Sequence, residues 1–335
     1  MLHRMYRDFT KKFWRQYNAA IKSGDFGLAR SVSYRAISFY QDAGDDRHSG
    51  IWQRVLSNVF YLQGNYDQAL VEGNLALAGQ TDPYERALTL IVLATLHVSI
   101  NKFETAFELF GQAAELGKAF PDDVYLWTHV FGSRAIAHRR TGDFDKAIID
   151  WEGAAALLRR DGQLWRAAVY VNNIGFLLTR RREFDQAESR LLDAFELLEQ
   201  DPHVHTEALV SDSLGYLYTL TNRHREAEAH LRKSIKVFER LGDKTQLVGS
   251  LLHLSQLRRR QIYHDEAQEL ALRSLDLARE VKSDSLVADA REVLKAITLD
   301  QVCATHEAPE PLAFARRGGL RAVTPFRSRS REPGD

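Results

Sequence analysis

Seven alanines sit in near-copies of one phrase, and their spacing limits what this chain can fold into. They are Ala29, Ala69, Ala106, Ala147, Ala187, Ala227 and Ala267, separated by 40, 37, 41, 40, 40 and 40 residues. The phrase reads TGDFDKAIIDWEGAA from Thr141, QGNYDQALVEGNLA from Gln63 and RREFDQAESRLLDA from Arg181. A fixed period of this kind means stacked supersecondary units, none of which can bury its apolar face alone.

Each anchor has company at fixed offsets. Three residues before it stands a ring: Phe26, Tyr66, Phe103, Phe144, Phe184, then His224 and His264. These rings are expected to plug the corner where two helices meet. Seven residues after it stands a second small residue: Ala36, Ala76, Ala113, Ala154, Ala194, Ser234, Ser274. Two small residues seven apart share one helical face, two turns along, and let a neighbouring helix come close. Upstream lies a bulky residue followed by a small one, as in Leu56-Ser57, Leu93-Ala94, Ile174-Gly175, Leu214-Gly215 and Leu254-Ser255. The pairs Gln16-Tyr17 and Arg134-Ala135 depart from this pattern. Each unit therefore has two helices.

The punctuation agrees. Helix-stop residues Gly24, Gly64, Asn101, Gly142 and Asn222 fall inside the phrase, and Asp45, Asp82-Pro83, Asp122, Asp161-Gly162, Asp201-Pro202, Asp243 and Asp284 fall between units. Asp can cap the helix that follows and Pro suits its first position. No strand alternation competes with this reading. Helix pairs are predicted within about 6–41, 46–79, 83–118, 122–160, 163–199, 203–241 and 243–281, with a final amphipathic helix over 285–298 that caps the last unit.

These residues resemble the tetratricopeptide repeat: the large-small pair, the ring and the two small positions of the second helix. The stretch VYVNNIGFLLTRRREFDQAESRLLDAFELLEQ carries the pattern best. The period of about 40 resembles the longer subtype of Leu-Gly-Asn scaffolds, Rap regulators and MalT-like activators. The resemblance implies an all-α, right-handed superhelical solenoid of seven helix-turn-helix units plus the capping helix, filling residues 1–300. It also implies that the first helices line a concave groove. Residues 301–335, rich in Pro, Gly, Ser and Arg, are expected to form a disordered tail.

No catalytic motif appears: there is no phosphate-binding glycine loop, nucleophile elbow or zinc-binding His-Glu-x-x-His helix. No cofactor or metal is expected, and the single cysteine, Cys303, forms neither an internal disulfide nor a cysteine cluster. Lys+Arg and Asp+Glu both count 45, so formal net charge is zero. That balance argues against a nucleic-acid coat or a polybasic membrane binder. The N-terminus lacks the apolar core of a signal peptide, and a cytoplasmic location is expected.

Function then falls to binding. The reading is a protein- or peptide-binding scaffold without enzymatic activity, regulatory in some settings, and open to homodimerisation through its end helices. The expected groove residues are Asn18, Arg54, Asn58, His129, Arg139, Asn172, Asn173, Phe176, Arg180, Asp212 and Tyr216, with Thr179, Thr219 and Arg259 one turn further out. Asn173 precedes the Ile174-Gly175 pair, where the resemblance places an amide that holds a ligand backbone; amides donate and accept at once. Arginine clusters at Arg139-Arg140, Arg180-Arg182 and Arg258-Arg260 end first helices, where cations meet the negative dipole end. They also suit an acidic partner or a free carboxylate. The alternative reading is nucleic-acid binding through those clusters and the basic tail.

Overall fold

The computed structural model of the protein describes residues 2–307, and among them every regular element is an α-helix. Seven helix pairs follow one another. They are α1 (Leu2–Lys22) with α2 (Phe26–Asp42), α3 (Asp46–Leu62) with α4 (Tyr66–Gly79), α5 (Pro83–Ser99) with α6 (Phe103–Gly117), and α7 (Val124–Thr141) with α8 (Phe144–Arg160). Then come α9 (Leu164–Arg180) with α10 (Phe184–Gln200), α11 (Val204–Leu220) with α12 (His224–Leu241), and α13 (Lys244–Arg260) with α14 (His264–Glu280). A last helix, α15 (Asp284–Glu307), packs on α13 and α14. It runs past residue 301 into the segment expected to be tail, and residues 308–335 lie outside the described residues.

All seven anchor alanines and all seven small residues that follow them are fully buried. The small residue twelve before the anchor meets the second helix at close range. A Cβ on Gly175 would lie 2.6 Å from Leu191, and one on Gly215 would lie 2.5 Å from Leu231. Where serine replaces glycine, its hydroxyl donates to the anchor's own carbonyl: Ser57 to Ala69 at 2.6 Å and Ser255 to Ala267 at 2.7 Å. The residue four after the anchor compensates. It is large opposite Gly or Ala (Leu191, Leu231, Trp151, Phe110) and small opposite Ser (Gly73, Ala271). The departing first unit inverts the pair, with Tyr17 and Ser33. The two positions thus share one close contact, and where both are small a third side chain fills in, as Leu93 does against Gly73.

The turns inside the units share one device. The residue five before each anchor has left-handed backbone: Gly24, Gly64, Asn101, Gly142, Arg182, Asn222 and Ile262, with φ between 62° and 85°. Glycine and asparagine tolerate this conformation, while Arg182 and Ile262 hold it against the clash of their own Cβ. Sequence reading finds no stop residue at these two places, yet the helices end there all the same. Among the expected caps, Asp45, Asp82 and Asp243 accept backbone N–H bonds. Asp123 rather than Asp122 caps α7, and Gln163 rather than Asp161 precedes α9. The rings three before each anchor open the second helix but only half-fill the corner; Tyr66 and Phe144 remain 37% and 38% exposed.

Two outcomes follow for stability. Gly215→Ala should lower the unfolding free energy by about 1–3 kcal/mol through overpacking against Leu231. Leu231→Ala, costly on its own, should cost less in the Gly215→Ala background than in wild type, because the added methyl then meets no leucine. A strictly additive double mutant in denaturant titration would contradict the compensation. Ile262→Gly should stabilise by about 1 kcal/mol, since it relieves the left-handed cost at a 75% exposed position; a lower denaturation midpoint would contradict it.

The stack is also acid-sensitive. The Nδ1 atoms of His97, His138 and His230 are buried without a hydrogen-bond partner. Burial pushes all three imidazoles below their ordinary value of 6.5. Below that value the unfolded chain binds more protons than the folded one, so stability falls as pH falls. Glu228, held at about 2 chiefly by its hydrogen bonds from Arg258, stays ionised across this window. The thermal midpoint should drop by several degrees from about pH 7.5 to about pH 5.5, and a His230→Leu variant should lose part of the slope. A flat profile would show that these rings do not titrate in the fold.

Candidate partner-binding groove

First helices of successive units lie side by side: α3 on α5, α5 on α7, α9 on α11, α11 on α13 and α13 on α15. Their inner faces form a cleft of about 860 Å³ in the C-terminal half. Five offsets recur along its wall, at 18, 15, 14, 11 and 7 residues before the anchor. On α9 they are Val169, Asn172, Asn173, Phe176 and Arg180; on α11, Leu209, Asp212, Ser213, Tyr216 and Leu220; on α13, Gly249, Leu252, His253, Gln256 and Arg260. Steps of three, one, three and four residues keep one face of a helix turned the same way.

The middle of the cleft is aromatic. Phe176 and Tyr216 have ring centroids 5.7 Å apart, and His253 stacks on Tyr216 at 4.5 Å and 23°. Nδ1 of His253 lies 3.0 Å from Asp212 Oδ2, so the carboxylate orients the imidazole under the ring. Both side chains are largely buried, at 15% and 16% exposed. Such a surface offers apolar area with polar edges at low entropy cost.

Amides line the wall beside the rings. Asn172 is 6% exposed, and its Oδ1 has no hydrogen-bond partner. Either rotamer of this carboxamide leaves a polar end unpaired at the cleft wall, an arrangement that costs about 1–3 kcal/mol until something completes it. Asn173 lines the same wall.

One end of the cleft is basic. Arg180 from α9 and Arg260 from α13 reach from either side over Leu220, in a smaller cavity of about 300 Å³ that Tyr216 also lines. Neither guanidinium has an ion-pair partner among the described residues. Arg182 lines the same cavity, likewise without an ion-pair partner among the described residues, whereas Arg140, Arg181, Arg258 and Arg259 are occupied. Arg140 donates to Val98 O at 2.7 Å and to Asn101 Oδ1 at 2.6 Å, tying α7 to the preceding unit. Arg181 pairs with Asp145 and Glu183, and Arg258 is buried between Glu228 and Glu266. Arg259 pairs with Asp300 at 3.2 Å. Partial desolvation and the nearby Arg180 and Arg140 charges push Arg139 down.

Asn172, Asn173, Phe176, Arg180, Asp212 and Tyr216 therefore share one cleft. Asn18, Arg54, Asn58, His129 and Arg139 lie on α1, α3 and α7, outside it. Arg54 is engaged with Glu85 at 2.7 Å. His129 Nδ1 donates to the Tyr125 carbonyl at 2.7 Å; burial, with the Arg166 and Arg54 cations, pushes its pKa down. Asn18 and Asn58 are exposed. The outer turn needs correction. Thr179 and Thr219 are fully buried, with hydroxyls bonded back to Gly175 O and Gly215 O. On α9 and α11 the outer groove position is one residue later, at Arg180 and Leu220, and on α13 both Arg259 and Arg260 line the cleft. Gln246, Asp289 and Glu292 were missed; the last two belong to the helix read only as a cap. Continuing the same offsets into α15 would have found them.

Residues 165–240 match the family model described as tetratricopeptide repeat. That stretch spans α9 to α12, two of the helix pairs, and the other pairs repeat its architecture at a period of about 40 residues. Photosystem I assembly protein Ycf3 of Dioscorea elephantipes is 29% identical over 133 residues, covering 37% of this chain and 72% of that protein. Among solved structures, a signal transduction ATPase with numerous domains and a tetratricopeptide repeat sensor, from Pyrococcus horikoshii, superposes with TM-score 0.62 at 14% identity. That match covers 88% of this chain and 48% of the other, so the chain spans about half its length. A tetratricopeptide repeat protein from Parabacteroides merdae gives 0.56 at 15% identity, covering 87% and 99%. A Rap protein complexed with competence and sporulation factor gives 0.53 at 13%, covering 88% and 99%. At these identities the structural likeness shows the fold alone.

Among the described residues, no helix is long and apolar enough to cross a membrane, and no group of three or more His, Cys, Asp or Glu side chains is arranged to hold a metal ion.

Proposed function

We propose that this protein is a non-enzymatic scaffold that binds an extended segment of a partner protein in the cleft over α9, α11, α13 and α15. One observation carries the reading: a recurring stripe of first-helix side chains that combines stacked rings, amides and two unpaired guanidiniums. Groups with these properties suit a peptide, whose backbone needs donors and acceptors and whose side chains need apolar contact. The paired approach of Arg180 and Arg260 favours a partner with an acidic residue or a free carboxylate, which planar guanidiniums bind in bidentate fashion. The likeness to a Rap protein solved with a bound factor supports a binding role for the fold. A reducing compartment such as the cytoplasm suits a chain whose single cysteine is Cys303.

Affinity capture of wild-type protein against the Asn173→Ala, Arg180→Ala double variant tests this. Both positions lie at the surface of the cleft, so the variant should fold. Partners that depend on the cleft should be lost or weakened about tenfold or more. An unchanged partner set would move the binding surface elsewhere, and salt-sensitive retention of RNA or DNA by both forms would favour the nucleic-acid reading.

A further inference from the structure

The cleft is not uniformly basic. Adding one repeat to the α13 positions puts Asp289 where Gly249 stands and Glu292 where Leu252 stands, and both acids line the cleft from α15. Neither carboxylate has an ion-pair partner among the described residues, whereas the third acid on this side of α15, Asp300, is taken by Arg259. The acids thus occupy the positions 18 and 15 before the would-be anchor, near the helix N-terminus. The free arginines occupy position 7, at the C-terminal end of parallel neighbours. The wall between them is the Phe176–Tyr216–His253 ladder and the nine-tenths-buried Asn172 with its unpartnered Oδ1.

Accepting the groove reading above, we propose that the cleft takes a dipolar segment: an anionic group over Arg180 and Arg260, a ring or apolar residue on the ladder, and a cationic side chain against Asp289 and Glu292. Eleven residues of helix separate the two ends, about 16 Å along the axis. An extended chain covers that in about five residues. The charges on the partner therefore stand at least that far apart, and their order fixes the direction in which the segment lies. The capping helix α15 is part of the site as well as the end of the stack. Asp212 lies on the ladder between the two ends, its Oδ2 3.0 Å from His253 Nδ1 and its Oδ1 without a hydrogen-bond partner among the described residues.

The test uses the full chain and synthetic decapeptides of Gly, Ala and Tyr that carry one Asp and one Arg, in both orders and at spacings from two to eight, with matched peptides in which Asn replaces the Asp or Gln replaces the Arg. Each is made with a free and an amidated C-terminus. Wild type should retain peptides with the wider spacings about tenfold better than those with spacings of two or three, whichever the charge order. Asp289→Asn with Glu292→Gln should abolish the preference for Arg and keep the preference for Asp; Arg180→Gln with Arg260→Gln should do the converse. All four positions border open solvent, so circular dichroism should match wild type. Amidation that removes retention of Asp-free peptides identifies a terminal carboxylate as the anion; insensitivity identifies an Asp or Glu side chain. Retention indifferent to charge spacing, or cation preference unchanged in the Asp289 and Glu292 variant, overturns the dipolar assignment while the groove reading stands. No retention of any peptide overturns both.

Discussion

The contact on which the rest of this structure depends is the close approach of the two helices in each unit. It is made where a small first-helix residue faces the side chain four after the anchor alanine. Gly175 against Leu191 and Gly215 against Leu231 bring the helices together through glycine; Ser57 and Ser255 do so by bonding the anchor's carbonyl. The anchor's backbone is then fixed relative to the first helix, and the next unit docks on a surface of constant shape. Seven repetitions of that step give a stack without a single central core.

The groove follows from the same step. Because first helices lie parallel and side by side, equivalent positions on their inner faces are neighbours in space. Those positions differ from unit to unit: Asn172, Asp212 and Leu252 occupy one offset, Arg180, Leu220 and Arg260 another. The arginine clusters show the division of labour within four residues. Arg140, Arg181 and Arg258 tie units together, and their guanidiniums are spent on carbonyls and carboxylates. Arg180 and Arg260 have no such partner and converge over the short Leu220.

The fold was legible in the sequence because its determinants are local and repeated. The anchors, the second small residues and the large-small pairs mark the helices to within a few residues, and each lies where its offset predicts. What escaped has physical reasons. Arg182 and Ile262 end their helices in left-handed backbone that neither residue favours, so composition gives no warning. The groove was half-legible. Residues at 15, 14 and 11 before the anchor were found by helical periodicity. The outer turn was read one residue early, onto Thr179 and Thr219, whose hydroxyls turn inward to the helix's own carbonyls. Asp289 and Glu292 were hidden because α15 lacks the phrase that follows the other first helices. Which arginine of a cluster is free depends on contacts some thirty to forty residues away, which spacing alone does not disclose.

Site-specific photo-crosslinking tests the central claim most directly, that this protein acts through the inner face of its first helices. Benzoylphenylalanine replacing Tyr216 reports on the cleft, and the same probe replacing Leu192, 46% exposed on the second helix α10, reports on the outer surface. The account predicts a cross-linked partner polypeptide from position 216 in living cells and none from position 192. Cross-links from 192 with none from 216 would contradict it.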